Sequence, residues 1–318
     1  MQDFFCKYMP CFARFVFLFL FVGSNFLGCA STLYSTFLNR ERAKSDLVAK
    51  ELQVGLHKWT YLESGDKKAN TIVFVHGFGG DKDNFTRLAP YFFQSHHILL
   101  VDLPGFGENS RIPTENYNLQ NQSVRLDEFL KLQGISRYSL VGNSMGGALS
   151  IQHTVQFPKK VEALVLLDSA GVETPKPSFV RAEIAKGNNP LLVNDVEDFD
   201  RLMSINFFKP PYIPGFLKTY FAERAVKNRP FNKKIFQDYR QGGANLEAIL
   251  SKVKPPTLVI WGDQDKVIDV SAVGVFTKKI PNAKSYILKD CGHLPQLERP
   301  EETAESILGF FKGSELLR

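Results

Sequence analysis

The chain has 318 residues, of which 44% are hydrophobic and 23% charged, and a formal net charge of +6. These are the proportions of an ordinary globular protein rather than a disordered or fibrous one, and the lack of a fixed-period repeat argues against a solenoid. A charge this modest, with no nucleic-acid-binding motif, is weak evidence for a DNA or RNA partner.

At the N-terminus, Lys7 and Arg14 precede the apolar run "FVFLFLFV", Phe15–Val22. Its eight residues fall well short of the roughly 20 that a spanning helix needs, so the run reads as the core of a secretory signal. The next stretch, "FLGCA", resembles the bacterial lipobox, although Phe26 stands where that pattern usually has Leu. The resemblance implies removal of residues 1–28 and a lipid on Cys29. With Ala30 next, it also implies a bacterial envelope protein held at the outer membrane. An uncleaved signal anchor, or a plain cleaved signal giving a secreted or periplasmic protein, stays open. Cys6 and Cys11 leave with the signal, and Cys291 alone remains beyond Cys29, so no internal disulfide is expected. Neither C-x-x-C nor H-E-x-x-H occurs, and no metal site is expected.

Residues 29–56 are expected to be a tether and N-terminal segment, with a repeating strand-helix body from 57 onward. "NTIVFVHGFGG" predicts a buried strand over Thr71–Val75 that ends in glycines, and "DNFTRLAPYF" a helix capped by Asp83 or Asn84. "HHILLVDLPGFGENS" reads as strand then loop, and "NLQNQSVRLDEFLKLQG" as a helix stopped at Gly134. "YSLVGNSMGG" and "VEALVLLDSAG" are two more strands around the helix "ALSIQHTVQF". After an interruption come "PTLVIWGDQD", "SAVGVFTKKI", "KSYILKDCGH" and "TAESILGFFKG" as strand, helix, strand and helix. Such apolar strands alternating with helices predict an α/β fold, a mostly parallel sheet covered on both faces. In sheets of this kind the functional residues gather at the carboxyl ends of the strands.

Four strand exits carry chemistry. Gly142, Ser144 and Gly146 form G-x-S-x-G between a strand and a helix, a turn that projects a nucleophilic hydroxyl. "HGFGG", His76–Gly80, supplies the second exit, where the Phe78 N–H and that of Met145 are the expected oxyanion donors. His76 is expected to order that loop rather than act as a base. His293, in "KDCGHLPQLERPEE", is placed to take the serine proton and return it to a leaving group. His57, His96 and His97 sit near strand starts and His153 inside a helix, which sets them aside. Asp265 is favoured as the acid that orients His293, with Asp263 as a turn residue and Asp168 as the alternative.

From "HGFGG" to "GHLPQLERPEE" the chain resembles an α/β-hydrolase, in which nucleophile, acid and histidine follow in that order. "HGFGGDKDNF", "DLPGFGENS", "GNSMGG" and "NPLLVNDVEDFDRL" are similar to the family V bacterial lipases and esterases. Monoacylglycerol-lipase-like and carbon–carbon bond hydrolases are close in motif. The resemblance implies cofactor-free hydrolysis of a small-molecule ester or acylglycerol, with Ser144, Asp265 and His293 as triad. The family's G-x-x-D falls on Gly262–Asp265, favouring Asp265 over Asp263. A carbon–carbon hydrolase or an acyltransferase would use the same triad, and a non-catalytic envelope lipoprotein would keep the fold as a binding module.

The interruption is expected to be a helical cap over residues 171–245, between core parts 57–170 and 246–318. Six basic residues between Lys218 and Lys234 face Glu223 alone, a run that suits either a solvated helix face or contact with an anionic lipid surface.

Overall fold

Runs such as "TIVFV" and "HILLV" can be satisfied only where both faces of a strand are covered, and the fold is arranged around that demand. The computed structural model describes residues 30–314; the expected signal segment and Cys29 lie outside them. In chain order the first half runs α1 (30–43), β1 (Val48–Val54), β2 (His57–Ser64), β3 (Thr71–Val75), β4 (His97–Val101), α2 (Leu119–Leu132), β5 (Tyr138–Asn143), α3 (Met145–Gln156) and β6 (Val161–Leu167). It continues with α4 (Phe179–Ala185), α5 (Val196–Asn206), α6 (Gly215–Gln241), β7 (Thr257–Gly262), α7 (Ala272–Lys279), β8 (Lys284–Leu288), α8 (Pro295–Glu298) and α9 (Pro300–Gly313).

The eight strands form one sheet in the order β1-β2-β4-β3-β5-β6-β7-β8. β1 pairs with β2, and β2 with β4, antiparallel; β4, β3, β5, β6, β7 and β8 pair parallel. Alternate side chains of one strand serve opposite faces. Val73 and Val75 join a core with Phe129 of α2, Leu149 of α3 and Phe276 of α7, whereas Ile72 and Phe74 pack with Phe85, Ile307 and Phe311 on the other side. Each such buried side chain contributes about 1.5–3 kcal/mol.

Three expectations are corrected. Residues 29–56 are not merely a tether over their described part. The 30–43 segment is helical, and 48–54 is the edge strand of a hairpin whose one face is exposed, which weakens its apolar signal. "DNFTRLAPYF" makes two 3-10 turns, Lys82–Phe85 and Ala89–Tyr91, with Asp81 rather than Asp83 or Asn84 as the cap. Pro90 lacks the N–H that a helix continuing through it would need, so the stretch breaks into two short turns with Pro90 in the first turn of the second. His57 does start a strand, but β2 is antiparallel to β4, so His57 lies beyond the carboxyl end of β4. There it faces the Tyr117 ring, with centroids 6.2 Å apart.

Between β6 and β7 the chain forms α4, α5 and the 27-residue α6 instead of another strand. α1 docks on this layer. Tyr34 meets the Phe221 ring edge-on at 4.9 Å, and the Arg224 guanidinium lies 5.6 Å from the centre of the Tyr34 ring. At its far end Arg42 makes two 2.7 Å bonds to the Asp83 carboxylate.

At the end of β4, Asp102 is fully buried. It accepts hydrogen bonds from the Lys82 N–H at 2.7 Å, the Lys82 ammonium at 3.0 Å, the Thr60 hydroxyl at 2.6 Å and the Glu108 N–H at 2.9 Å. Burial opposes its ionisation, but the Lys82 charge and these donors hold the carboxyl below its usual range. Asp102→Ala is therefore expected to cost about 3–5 kcal/mol, because it removes the buried partner of the Lys82 ammonium, which keeps the exposed Glu108 carboxylate at 3.0 Å, and leaves the Thr60 and backbone donors without their acceptor. Adding Lys82→Met should recover part of that loss. Urea unfolding of the single and double variants checks both; a single-variant loss no larger than that of a surface substitution would contradict the assignment.

Candidate active site

Ser144 stands between β5 and α3 with φ 55° and ψ −120°, backbone that a residue with a Cβ rarely adopts. The surroundings hold it there. Its N–H donates to the Leu167 carbonyl at 3.0 Å, and its own carbonyl accepts from the N–H groups of Gly147, Ala148 and Ala170 at 2.9, 3.1 and 3.0 Å. The flanking glycines are needed for close approach. A Cβ on Gly142 would stand 2.5 Å from the Gly146 carbonyl oxygen, and one on Gly146 would collide with the carbonyls of Val75 and His76.

The loop after β3 lies against this turn, since a Cβ on Gly77 would be 3.0 Å from the Ser144 Cβ. His76 orders that loop. Its Nε2 accepts from the Leu103 N–H at 3.0 Å, which leaves the proton on Nδ1 to donate to the Gly77 carbonyl at 2.7 Å. Burial lowers the pKa of this ring, in keeping with a neutral imidazole. Phe78 follows Gly77, with its ring 5.8 Å from that of Phe106 and 5.6 Å from that of Phe236 on α6. Met145 opens α3, where first-turn N–H groups have no acceptor within the helix and face outward at its positive end.

His293 is buried beyond β8, and its Nδ1 is 2.8 Å from Asp265 Oδ2. Asp265 Oδ1 accepts from the N–H groups of Val267 and Ile268 at 2.7 and 3.0 Å, so the carboxylate is an acceptor at both oxygens. The imidazole thus donates from Nδ1 and keeps the Nε2 lone pair. Asp263 instead accepts from the Cys291 N–H at 3.4 Å, a contact between the loops that follow β7 and β8. Asp168, the alternative acid, accepts from the Gly262 N–H at 2.9 Å, while its buried Oδ2 receives no donor among the described residues. Burial, together with the neighbouring Asp265 charge, raises its pKa well above the carboxylate range, so Asp168 is the protonated member of the pair.

Two functional contacts were not foreseen in the sequence. The Asn143 side chain donates to the His293 carbonyl at 3.2 Å and to that of Leu167 at 3.1 Å, tying the serine turn to the histidine loop. Glu298 accepts from the N–H groups of Gly292, Phe208 and Lys209 at 2.8, 3.2 and 2.8 Å, joining the histidine loop to the end of α5. The x position of G-x-S-x-G and the first Glu of "LERPEE" marked both places without indicating a role. Among the described residues, the donors spaced to hold a metal ion are Asp168, Asp265 and His293 themselves, within 4.8 Å of one another. A cation there would compete for the Asp265 oxygen that holds the imidazole.

A model of the alpha/beta hydrolase family matches residues 72–306. The chain is 38% identical over 280 residues to Lipase 1 of Psychrobacter immobilis, covering 85% of this chain and 86% of that one. It is 26% identical over 251 residues to the human monoacylglycerol lipase ABHD6, covering 76% and 74%. Among solved structures it resembles a membrane phospholipase A described as a bacterial virulence factor, with TM-score 0.89 and 37% identity over 96% of this chain and 99% of the other.

The protonated Asp168 sets a pH dependence. In the unfolded chain an aspartate releases its proton near about pH 3.9, whereas the folded chain keeps this one to higher pH. Above that point the folded state binds more protons than the unfolded state, so the group makes stability fall as pH rises, by up to about 1.4 kcal/mol per unit. Asn fits the φ of 45°, and Asp168→Asn reproduces the neutral acid without titrating. Its advantage in melting temperature over the wild type is expected to grow as pH rises above about pH 4. A difference that stays constant with pH would show that Asp168 is ionised in the fold.

Proposed function

The chain belongs to the alpha/beta hydrolase family, and within it we propose that it hydrolyses carboxylic esters of lipids through an acyl-enzyme on Ser144. The observation that carries this reading is the buried 2.8 Å pair of His293 and Asp265, whose loop is bonded through the His293 carbonyl to Asn143, the residue before a serine held in strained backbone. His293 Nε2 takes the Ser144 proton as Oγ attacks the ester carbonyl. The oxyanion is held by the N–H groups of Phe78 and Met145, each worth about 3–4 kcal/mol in comparable sites. Asp265 stays ionised and stabilises the imidazolium. The tetrahedral intermediate collapses as His293 passes the proton to the departing alkoxide. A water, deprotonated by the same base, then releases the fatty acid and restores Ser144.

Lipid esters are favoured over other acyl substrates because the relatives are named lipase, monoacylglycerol lipase and phospholipase A. The helical layer of α4, α5 and α6 supplies a roof over the strand exits, with Phe236 against Phe78. The lipobox-like "FLGCA" further supports attachment to the outer membrane of a bacterial envelope through Cys29. Among the described residues no helix is long and apolar enough to cross a membrane. Cys29→Ser is expected to move the protein from the membrane to the soluble envelope fraction and to abolish incorporation of radiolabelled palmitate; unchanged labelling would remove the anchor.

For the chemistry, turnover of p-nitrophenyl esters and emulsified acylglycerols is expected to fall about 10⁴-fold or more in Ser144→Ala. Ester hydrolysis that survives this change would defeat the assignment. Absence of serine-dependent hydrolysis in the wild type would turn the search to carbon–carbon substrates or a binding role.

A further inference from the structure

An open cleft of about 520 Å³ lies between α4, α5 and α6. On α6, Arg229, Lys233, Phe236 and Arg240 all line it, spaced at three, four and seven residues and therefore on one helix face. Of the other cations on this helix, Lys218 pairs with Asp200 at 2.9 Å, Lys234 pairs with Asp238 at 2.6 Å, and Arg224 lies over the Tyr34 and Tyr220 rings. The three that face the cleft have no ion-pair partner among the described residues.

Its carboxylates are already bound, Asp198 to Arg201 at 3.0 Å and Glu183 to Lys186 at 2.8 Å. Two donors into this region, Arg229 Nε and Asn189 Nδ2, are buried atoms with no hydrogen-bond partner among the described residues. Arg240 also lies 6.0 Å from the centre of the Phe236 ring and Arg229 feels the Asp198 charge, but the cleft's cations still outnumber its carboxylates. Excess positive charge beside buried donors without acceptors matches an oxyanion with several acceptor oxygens. The cleft is separated from Phe78 by one ring, because Phe236, which lines it, meets the Phe78 ring with centroids 5.6 Å apart.

We propose that this cleft is a phosphate-binding subsite in which Arg229, Lys233, Arg240 and the Asn189 amide take the phosphate of a glycerophospholipid or free phosphate. Arginine offers its planar fork and lysine a point charge to the same group. In a glycerophospholipid only the glycerol carbons and their oxygens separate phosphate from ester carbonyl. A phosphate held beside Phe236 keeps the scissile ester close to the Phe78 side of the centre. The inference rests on the ester-hydrolase reading above.

The test compares phosphatidylglycerol with diacylglycerol of the same acyl chains in neutral detergent micelles, using the full chain and its Arg229→Gln/Lys233→Gln variant. The ratio of kcat/KM for phospholipid over diacylglycerol is expected to fall about tenfold or more, the scale of one lost charge-assisted contact. Arg229→Lys, which keeps the charge but lacks the Nε–H, should give an intermediate ratio. If the ratio holds while inorganic phosphate raises the melting temperature of the wild type and not of the double variant, the ligand is free phosphate. An unchanged ratio with no such difference in phosphate response overturns the subsite. Hydrolysis of diacylglycerol that persists in Ser144→Ala would instead overturn the underlying reading, whatever the ratio shows.

Discussion

Everything around the site depends on one close approach: the backbone of the turn at Ser144 passes within contact of the β3 exit, where any side chain on Gly146 would strike two carbonyls. Hydrogen bonds to the backbone of Ser144 come from or go to the β6 exit and the first turn of α3, and Asn143 reaches the histidine loop. Strain at a single residue persists when its neighbours over-determine it. Here strand exits on either side of β5 do so, and the same contacts set where the hydroxyl stands.

Buried carboxylates near these exits illustrate two ways of meeting the cost of desolvation. Asp102 keeps its charge because an ammonium and several donors surround it. Asp168, next to a second carboxylate, keeps its proton. The result at the second place is asymmetric. Two acids lie together, but only Asp265 has both oxygens saturated by donors and is available as an ion to the imidazole.

The parallel strands were legible because full burial turns them into continuous apolar runs, and Thr71–Val75 is observed with the bounds that its sequence predicts. The positions of Ser144 and His293 at strand exits could be read for the same reason. β1 escaped notice because one face of this edge strand is exposed and the other only partly buried. The sense of β2 was hidden as well, since a strand's own residues do not state the direction of its neighbour, and His57 was misplaced in consequence. Asn143 and Glu298 act through backbone groups of loops distant in sequence, and such partners exist only once the loops have met.

The N-terminal helix is fastened by Tyr34 and Arg224 to α6 and by Arg42 to Asp83 in the loop leading from β3. It leads into β1, the outermost strand of the sheet. A pull applied at residue 30 is therefore shared by two load paths, one through aromatic stacking into the helical roof and one through a guanidinium-carboxylate pair into the loop that follows Phe78. Tension at this end of the chain therefore reaches the helical roof and the loop after β3 directly, before it arrives at β1.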